Sequence, residues 1–201
     1  SSCSGMSAIS AGGVLIDWSP YHLYRKLLPN DDAIQTFLEE IDFFRINARI
    51  DAGMPIAEWG REYAQKFPQY GSLIEAYAER WVETNGEVIG ETLDILRELK
   101  SKGHPVYGLS NWSTEIFALV KDRFPFLEEL DDYLLSGMVG QIKPGEEIFR
   151  TFLKRVGRSA EECIFIDDNA ENIETAGRMG FLALQFKSAN KLRQDLSQIG
   201  I

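Results

Sequence analysis

Cys163-Ile164-Phe165-Ile166-Asp167-Asp168-Asn169 joins a short apolar run directly to two carboxylates and an amide. An apolar stretch of this length, rich in Ile and Phe and closed by a polar turn, predicts a strand buried on both faces of a parallel sheet. Ligands of such sheets bind in the crevice beyond the carboxyl ends of the strands. Two adjacent acids there repel each other unless a cation intervenes, and hard divalent cations such as Mg²⁺ prefer carboxylate oxygen. The bland alternative is that the acids open a turn and cap the next helix.

Outward from this stretch the chain alternates helix and strand. Ile89, Leu93, Leu96 and Leu99 predict a helix over residues 88–102, closed at Gly103. A short strand over 105–109 leads into Ser110-Asn111-Trp112, a helix covers 114–123, and a brief strand covers 133–135. Ile148, Phe149, Phe152, Leu153 and Val156 predict a helix ending at Gly157, the Ile164–Ile166 strand follows, and a further helix and strand cover 170–179 and 182–186. Such repeated units imply right-handed crossovers: an α/β, Rossmann-like parallel sheet with helices on both faces.

Residues 19–86 differ. Leu23, Leu27, Leu28, Ile34, Phe37, Leu38 and Ile41 recur at helical spacing, followed by Trp59, Tyr63, Phe67, Leu73, Ile74, Tyr77, Trp81 and Val82. No strand is expected in this block, and its aromatics read as core. The division is therefore an α/β core over 1–18 and 87–201 with an inserted helical bundle over 19–86.

At 201 residues the chain holds one good core plus a smaller unit. A net charge of −10 argues against nucleic acid and against an anionic membrane surface. No apolar segment reaches the roughly 20 residues that a membrane span needs. Cys3 and Cys163 suggest neither a disulfide nor a zinc site. The leading Ser1–Gly5 has no apolar core, so it reads as a remnant before Met6 and not as a signal peptide; the cytoplasm is the default location.

Four segments fall at successive strand ends: Ala11-Gly12-Gly13-Val14-Leu15-Ile16-Asp17-Trp18, Leu109-Ser110-Asn111-Trp112, Gly140-Gln141-Ile142-Lys143-Pro144 and Phe165-Ile166-Asp167-Asp168. In order, spacing and identity the chain resembles the haloacid dehalogenase-like hydrolase superfamily, in the branch with a helical cap after the first motif. That branch holds sugar-phosphate phosphatases, 2-haloacid dehalogenases and epoxide-hydrolase-associated phosphatases. The resemblance covers residues 8–201. It implies a covalent mechanism in which an aspartate ending the first strand attacks the substrate. It further implies that Ser110, Asn111 and Gly12 hold substrate phosphate and that Lys143 neutralises charge. Asp168, with Asp167 beside it and the Gly12 backbone carbonyl, is implied to hold Mg²⁺. The bland readings are a helix cap for Ser110-Asn111, a solvated loop lysine for Lys143, and helix-start roles for Asn169 and Asn172.

The first motif departs from the family. Aligning the double glycine puts Ser10 at the nucleophile position and Gly12 where many phosphatases carry an acid/base aspartate. Met6-Ser7-Ala8-Ile9 is too polar and small for a usual central strand, and Asp17 lies beyond the strand, in the turn entering the cap. A serine without a base is a poor nucleophile, and neither His22 nor His104 is placed to be one. The expected function is thus a Mg²⁺-dependent phosphatase of small phosphomonoesters by lineage, impaired at Ser10, with a small anionic molecule as substrate. Three alternatives stand beside it: a 2-haloacid dehalogenase-like hydrolase, a non-catalytic binding protein, and an altered N-terminus in place of a natural Asp at position 10. Tyr21, Tyr24 and Arg25 are the first candidates for substrate selection by the cap; the oligomeric state is open.

Overall fold

The structure, a computed structural model, describes residues 5–201; the expectations for Cys3 and for Ser1–Ser4 lie outside the described residues. Its strands are β1 (Met6–Ile9), β2 (Ile16–Trp18), β3 (Asn85–Val88), β4 (Val106–Ser110), β5 (Asp132–Leu135), β6 (Cys163–Asp167) and β7 (Leu182–Gln185). Five form a parallel sheet in the order β5-β4-β1-β6-β7, while β2 and β3 pair antiparallel as a separate ribbon. Five helices lie between β2 and β3: α1 (Pro20–Tyr24), α2 (Asp31–Glu40), α3 (Phe43–Asp51), α4 (Ile56–Lys66) and α5 (Gly71–Arg80). The rest alternate with the sheet strands: α6 (Gly90–Ser101), α7 (Thr114–Val120), α8 (Ser136–Val139), α9 (Glu146–Val156), α10 (Ala170–Arg178) and α11 (Ala189–Gln198).

Every residue of β6 is buried. Ile164 and Ile166 join the apolar cluster that contains α6 and α11 side chains, whereas Cys163 and Phe165 join the one containing Phe149 and Phe152 of α9 and Ala176 of α10. Both faces of the strand are therefore covered, which is why its sequence is continuously apolar and not alternating. The α9 helix shows the local logic: Ile148, Phe149 and Phe152 are its buried stripe, Glu146 and Glu147 occupy its first turn, Lys154 and Arg155 its last, and Gly157 stops it at φ 66°.

Two sequence expectations need correction. Residues Met6–Ile9, read as too polar and small for a central strand, are the middle strand of the sheet and are wholly buried. Ala8 pairs between Tyr107 and Phe165, and the Phe165 ring packs edge-on against Phe149 at 5.1 Å, so large neighbours fill the space that a small residue leaves. The second correction is at the end of the helical block: Asn85–Val88 forms β3, with Ile16 opposite Val88 and Trp18 opposite Asn85, so the next helix starts at Gly90 and not at Val88. Four residues containing Asn, Gly and Glu carry no strand signal of their own; the pairing partner supplies it. The aromatics of the helical block pack on one another as expected: Tyr24, Trp59 and Tyr77 are sealed from solvent, with Phe43–Tyr77 and Trp59–Tyr77 ring centroids 5.0 and 5.3 Å apart.

Candidate active site

The carboxyl ends of β1, β4 and β6 converge at one cavity of about 580 Å³, which takes in Ser10, Ser110, Lys143, Asp167 and Asp168. Adjacent parallel strands must present their ends together, and the register places Ile9 between Gly108 and Ile166. Residues distant in sequence meet because the sheet ends there.

At β1, Ser10 donates its own N–H to the Ile166 carbonyl at 3.1 Å. Its hydroxyl donates weakly to the Gly12 carbonyl at 3.4 Å. The turn that follows closes through the Gly13 N–H to the Ile16 carbonyl at 2.8 Å. Gly13 has φ +80°, and a Cβ there would lie 2.3 Å from Asp168 Oδ2, so the Asp168 carboxylate rests against bare backbone. At β4, Ser110 Oγ accepts from the Ala11 N–H at 2.9 Å, which leaves its proton free to donate. The helix cap of α7 is Ser113, not Ser110-Asn111.

Lys143 is only 3% exposed, far from a solvated loop lysine. Its Nζ donates to the Leu109 carbonyl and to Asp167 Oδ2, both at 2.7 Å. Asn111 braces it: the side-chain amide donates to the Lys143 carbonyl and accepts from the Lys143 N–H, each at 2.9 Å. Asp167 also accepts from the Asn169 N–H and from Asn172 Nδ2, at 2.9 and 3.0 Å. Burial alone would raise its carboxyl, but Lys143 and these hydrogen bonds outweigh that and hold it below the ordinary range. Asn169 caps α10 by accepting from the Glu171 and Asn172 N–H groups.

Asp168 is the contrasting member of the pair. It has no ion pair of its own among the described residues, and burial together with the neighbouring Asp167 pushes its carboxyl up to about 6. A carboxylate so placed favours a cation. Asp168, Asp167 and Gly12 all line the cavity, and carboxylate and carbonyl oxygens are the donor types that a hard cation takes. Among the described residues no three His, Cys, Asp or Glu side chains cluster as metal ligands.

The cavity also has a wall that the sequence reading missed. Phe44, Asn47, Ala48 and Asp51 line it at positions i, i+3, i+4 and i+7 of α3, while Phe43, Ile46 and Ile50 of the same helix enter the core. Two stripes on one helix were the available signal. Half-buried Asp51 has its carboxyl pushed up to about 7 by burial, the Lys143 charge pulling the other way. Its backbone carbonyl accepts from Ser136 Oγ, which ties α3 to α8. The three residues proposed for substrate selection do not line the cavity. Tyr24 is sealed in the helical core and donates to the Leu73 carbonyl, and Arg25 pairs with Asp31 at the surface, its guanidinium near the Tyr21 ring. His22 lies 3.1 Å from Asp17 and His104 contacts the Gly5 carbonyl, both away from the cavity.

The sequence profile of the haloacid dehalogenase-like hydrolases matches residues 12–180. A D-ribitol-5-phosphate phosphatase of Bacteroides thetaiotaomicron is 26% identical, with 94% of each chain covered. A sesquiterpene phosphatase of Aspergillus oryzae is 30% identical over 52% of this chain, which spans 54% of that protein. Among solved structures, a HAD family enzyme of Bacteroides thetaiotaomicron in complex with magnesium and inorganic phosphate superimposes with a TM-score of 0.70 at 25% identity, covering 91% of this chain and 94% of that one. An L-2-haloacid dehalogenase shares the fold alone, with a TM-score of 0.70 at 13% identity over 96% of this chain and 98% of that one.

Proposed function

The chain belongs to the haloacid dehalogenase-like hydrolases, and we propose that within them it is a small-phosphomonoester phosphatase by descent, with a Mg²⁺ site at Asp168 and turnover impaired by Ser10. The observation that carries this reading is the contrast between the two acids: Lys143 is committed to Asp167, and Asp168 beside it is left to another cation. A metal-free site for a carboxylate substrate would gain nothing from two acids at its mouth. That disfavours the dehalogenase reading, even though Leu109-Ser110-Asn111-Trp112 is dehalogenase-like in sequence.

The residues divide the work as follows. Ser110 donates its hydroxyl proton to a phosphate oxygen, and Lys143 sets a fixed positive charge beside it. Asn111 keeps Lys143 in place. Asp168, Asp167 and the Gly12 carbonyl would hold Mg²⁺, which when bound offsets the charge of phosphate next to these carboxylates. Ser10 stands where attack would start, but no histidine lines the cavity to take its proton. On this reading the chain binds phosphate esters without turning them over, and the lack of a histidine lining the cavity beside Ser10 is the observation that favours a binding role as the second reading. The helical segment between β2 and β3 acts as the cap, supplying α3 as the substrate-facing wall.

Calorimetric titration tests the site directly. Inorganic phosphate is expected to bind in the presence of Mg²⁺ and to be lost in Asp168→Asn. Because Asp168 must be deprotonated to take a metal, Mg²⁺ affinity is expected to fall by about tenfold per pH unit below about 6. Phosphate binding that ignores both Mg²⁺ and Asp168→Asn contradicts the metal site.

A further inference from the structure

Trp18 and Asn85 stand directly opposite each other on the β2–β3 ribbon, and both line the cavity. Cross-strand partners share one face of a ribbon. Trp18 Nε1 and Asn85 Oδ1 are each withdrawn from solvent without a hydrogen-bond partner among the described residues. Asn85 is 5% exposed, and its amide nitrogen is turned toward the Val82 carbonyl at 3.4 Å, which leaves the oxygen as the unmatched end. An unmatched buried donor and an unmatched buried acceptor on two facing residues are costly unless a ligand or water pairs with them.

The surroundings of the pair are aromatic. Trp81 and Trp112 lie with ring centroids 6.4 Å apart, and Phe44 is 63% exposed on the α3 wall. Trp81 Nε1 donates to the Tyr77 hydroxyl at 3.0 Å, and Tyr77 donates to Asn47 Oδ1 at 2.7 Å. That chain consumes the polar edge of Trp81 and leaves an apolar ring for the ligand.

We propose that the cap side of the cavity selects a phosphomonoester whose alcohol is an apolar or aromatic group bearing one further hydroxyl, read jointly by Trp18 and Asn85. A hydroxyl accepts from the indole N–H and donates to the amide oxygen. An ether satisfies only Trp18 and an ammonium only Asn85. The proposal rests on the phosphate site described above, since the phosphate end anchors the ligand at Ser110 and Lys143.

The test is binding, which Ser10 leaves measurable. Inorganic phosphate, glycerol 3-phosphate, phenyl phosphate and the 3- and 4-hydroxymethyl derivatives of phenyl phosphate are titrated calorimetrically into the full chain with Mg²⁺. Phenyl phosphate is expected to bind about tenfold tighter than glycerol 3-phosphate, through contact with the aromatic wall. One hydroxymethyl isomer is expected to gain roughly a further fivefold, the effect of added hydrogen bonds. Trp18→Phe removes the indole N–H, so in that variant the favoured hydroxymethyl isomer is expected to bind no tighter than phenyl phosphate measured in the same variant. If inorganic phosphate binds but the aryl esters gain nothing, or the hydroxyl gain survives in Trp18→Phe, the inference is overturned and the phosphate site stands. If inorganic phosphate itself does not bind, both fall.

Discussion

Lys143 Nζ lies 2.7 Å from Asp167 Oδ2, and the two side chains are 2% and 1% exposed. Their opposite charges are almost fully withdrawn from water, so each is tolerable only because of the other. Lys143→Met is expected to destabilise the fold by about 3–5 kcal/mol, the cost of an unpaired buried charge. The double variant Lys143→Met with Asp167→Leu is expected to recover much of that loss. Urea unfolding of the two variants checks this, and a double variant no more stable than Lys143→Met contradicts it.

Asp51 sets a pH dependence of stability. Its carboxyl is pushed up to about 7 in the folded chain, above the unfolded value of 3.8. Between those values the folded state holds the proton more tightly, so its contribution is present at low pH and is lost as pH rises toward 7. Each displaced pKa unit is worth about 1.4 kcal/mol. Asp51→Asn is therefore expected to stabilise the chain by at least about 1 kcal/mol at pH 8 and to be nearly neutral at pH 4. Thermal unfolding of both chains across that range checks the sign; a benefit confined to low pH contradicts it.

Gly13 is expected to tolerate no side chain. Its positive φ and the Asp168 carboxylate pressed against it combine two separate penalties. Gly13→Ala is expected to cost about 1–2 kcal/mol in stability from backbone strain and to weaken Mg²⁺-dependent phosphate binding by displacing Asp168. Urea unfolding and calorimetry read the two effects separately. Unchanged binding would mean that the Asp168 position does not matter to the site.

Much of the site is legible at the strand ends, because parallel strands that terminate in polar residues bring those residues to one crevice. Ser110, Asp167 and Asp168 are found this way, whereas Lys143 lies in the loop after α8 and is picked out only by the resemblance of its motif. Most helices and strands of the α/β core follow from their apolar periodicity. The aromatic wall is not legible. Trp18 and Asn85 become neighbours only through the β2–β3 pairing, which neither segment signals alone. Asp51 meets the field of Lys143 only once α3 is docked over the sheet. Tyr21, Tyr24 and Arg25 fail for the converse reason: closeness in sequence to the first motif does not decide which face of the helical block a residue occupies. The small residues of β1 mislead because their burial is provided by Tyr107 and Phe165, which belong to other strands.

On the proposed reading, Ser10 silences a metal-dependent phosphatase site that is otherwise in place. The decisive measurement is Mg²⁺-dependent release of 4-nitrophenol from 4-nitrophenyl phosphate by the chain as it stands and by Ser10→Asp. No turnover above background is expected with Ser10, and a rise of at least about a thousandfold is expected with Ser10→Asp. Turnover at ordinary phosphatase rates with Ser10 in place, or none in either chain, contradicts the claim.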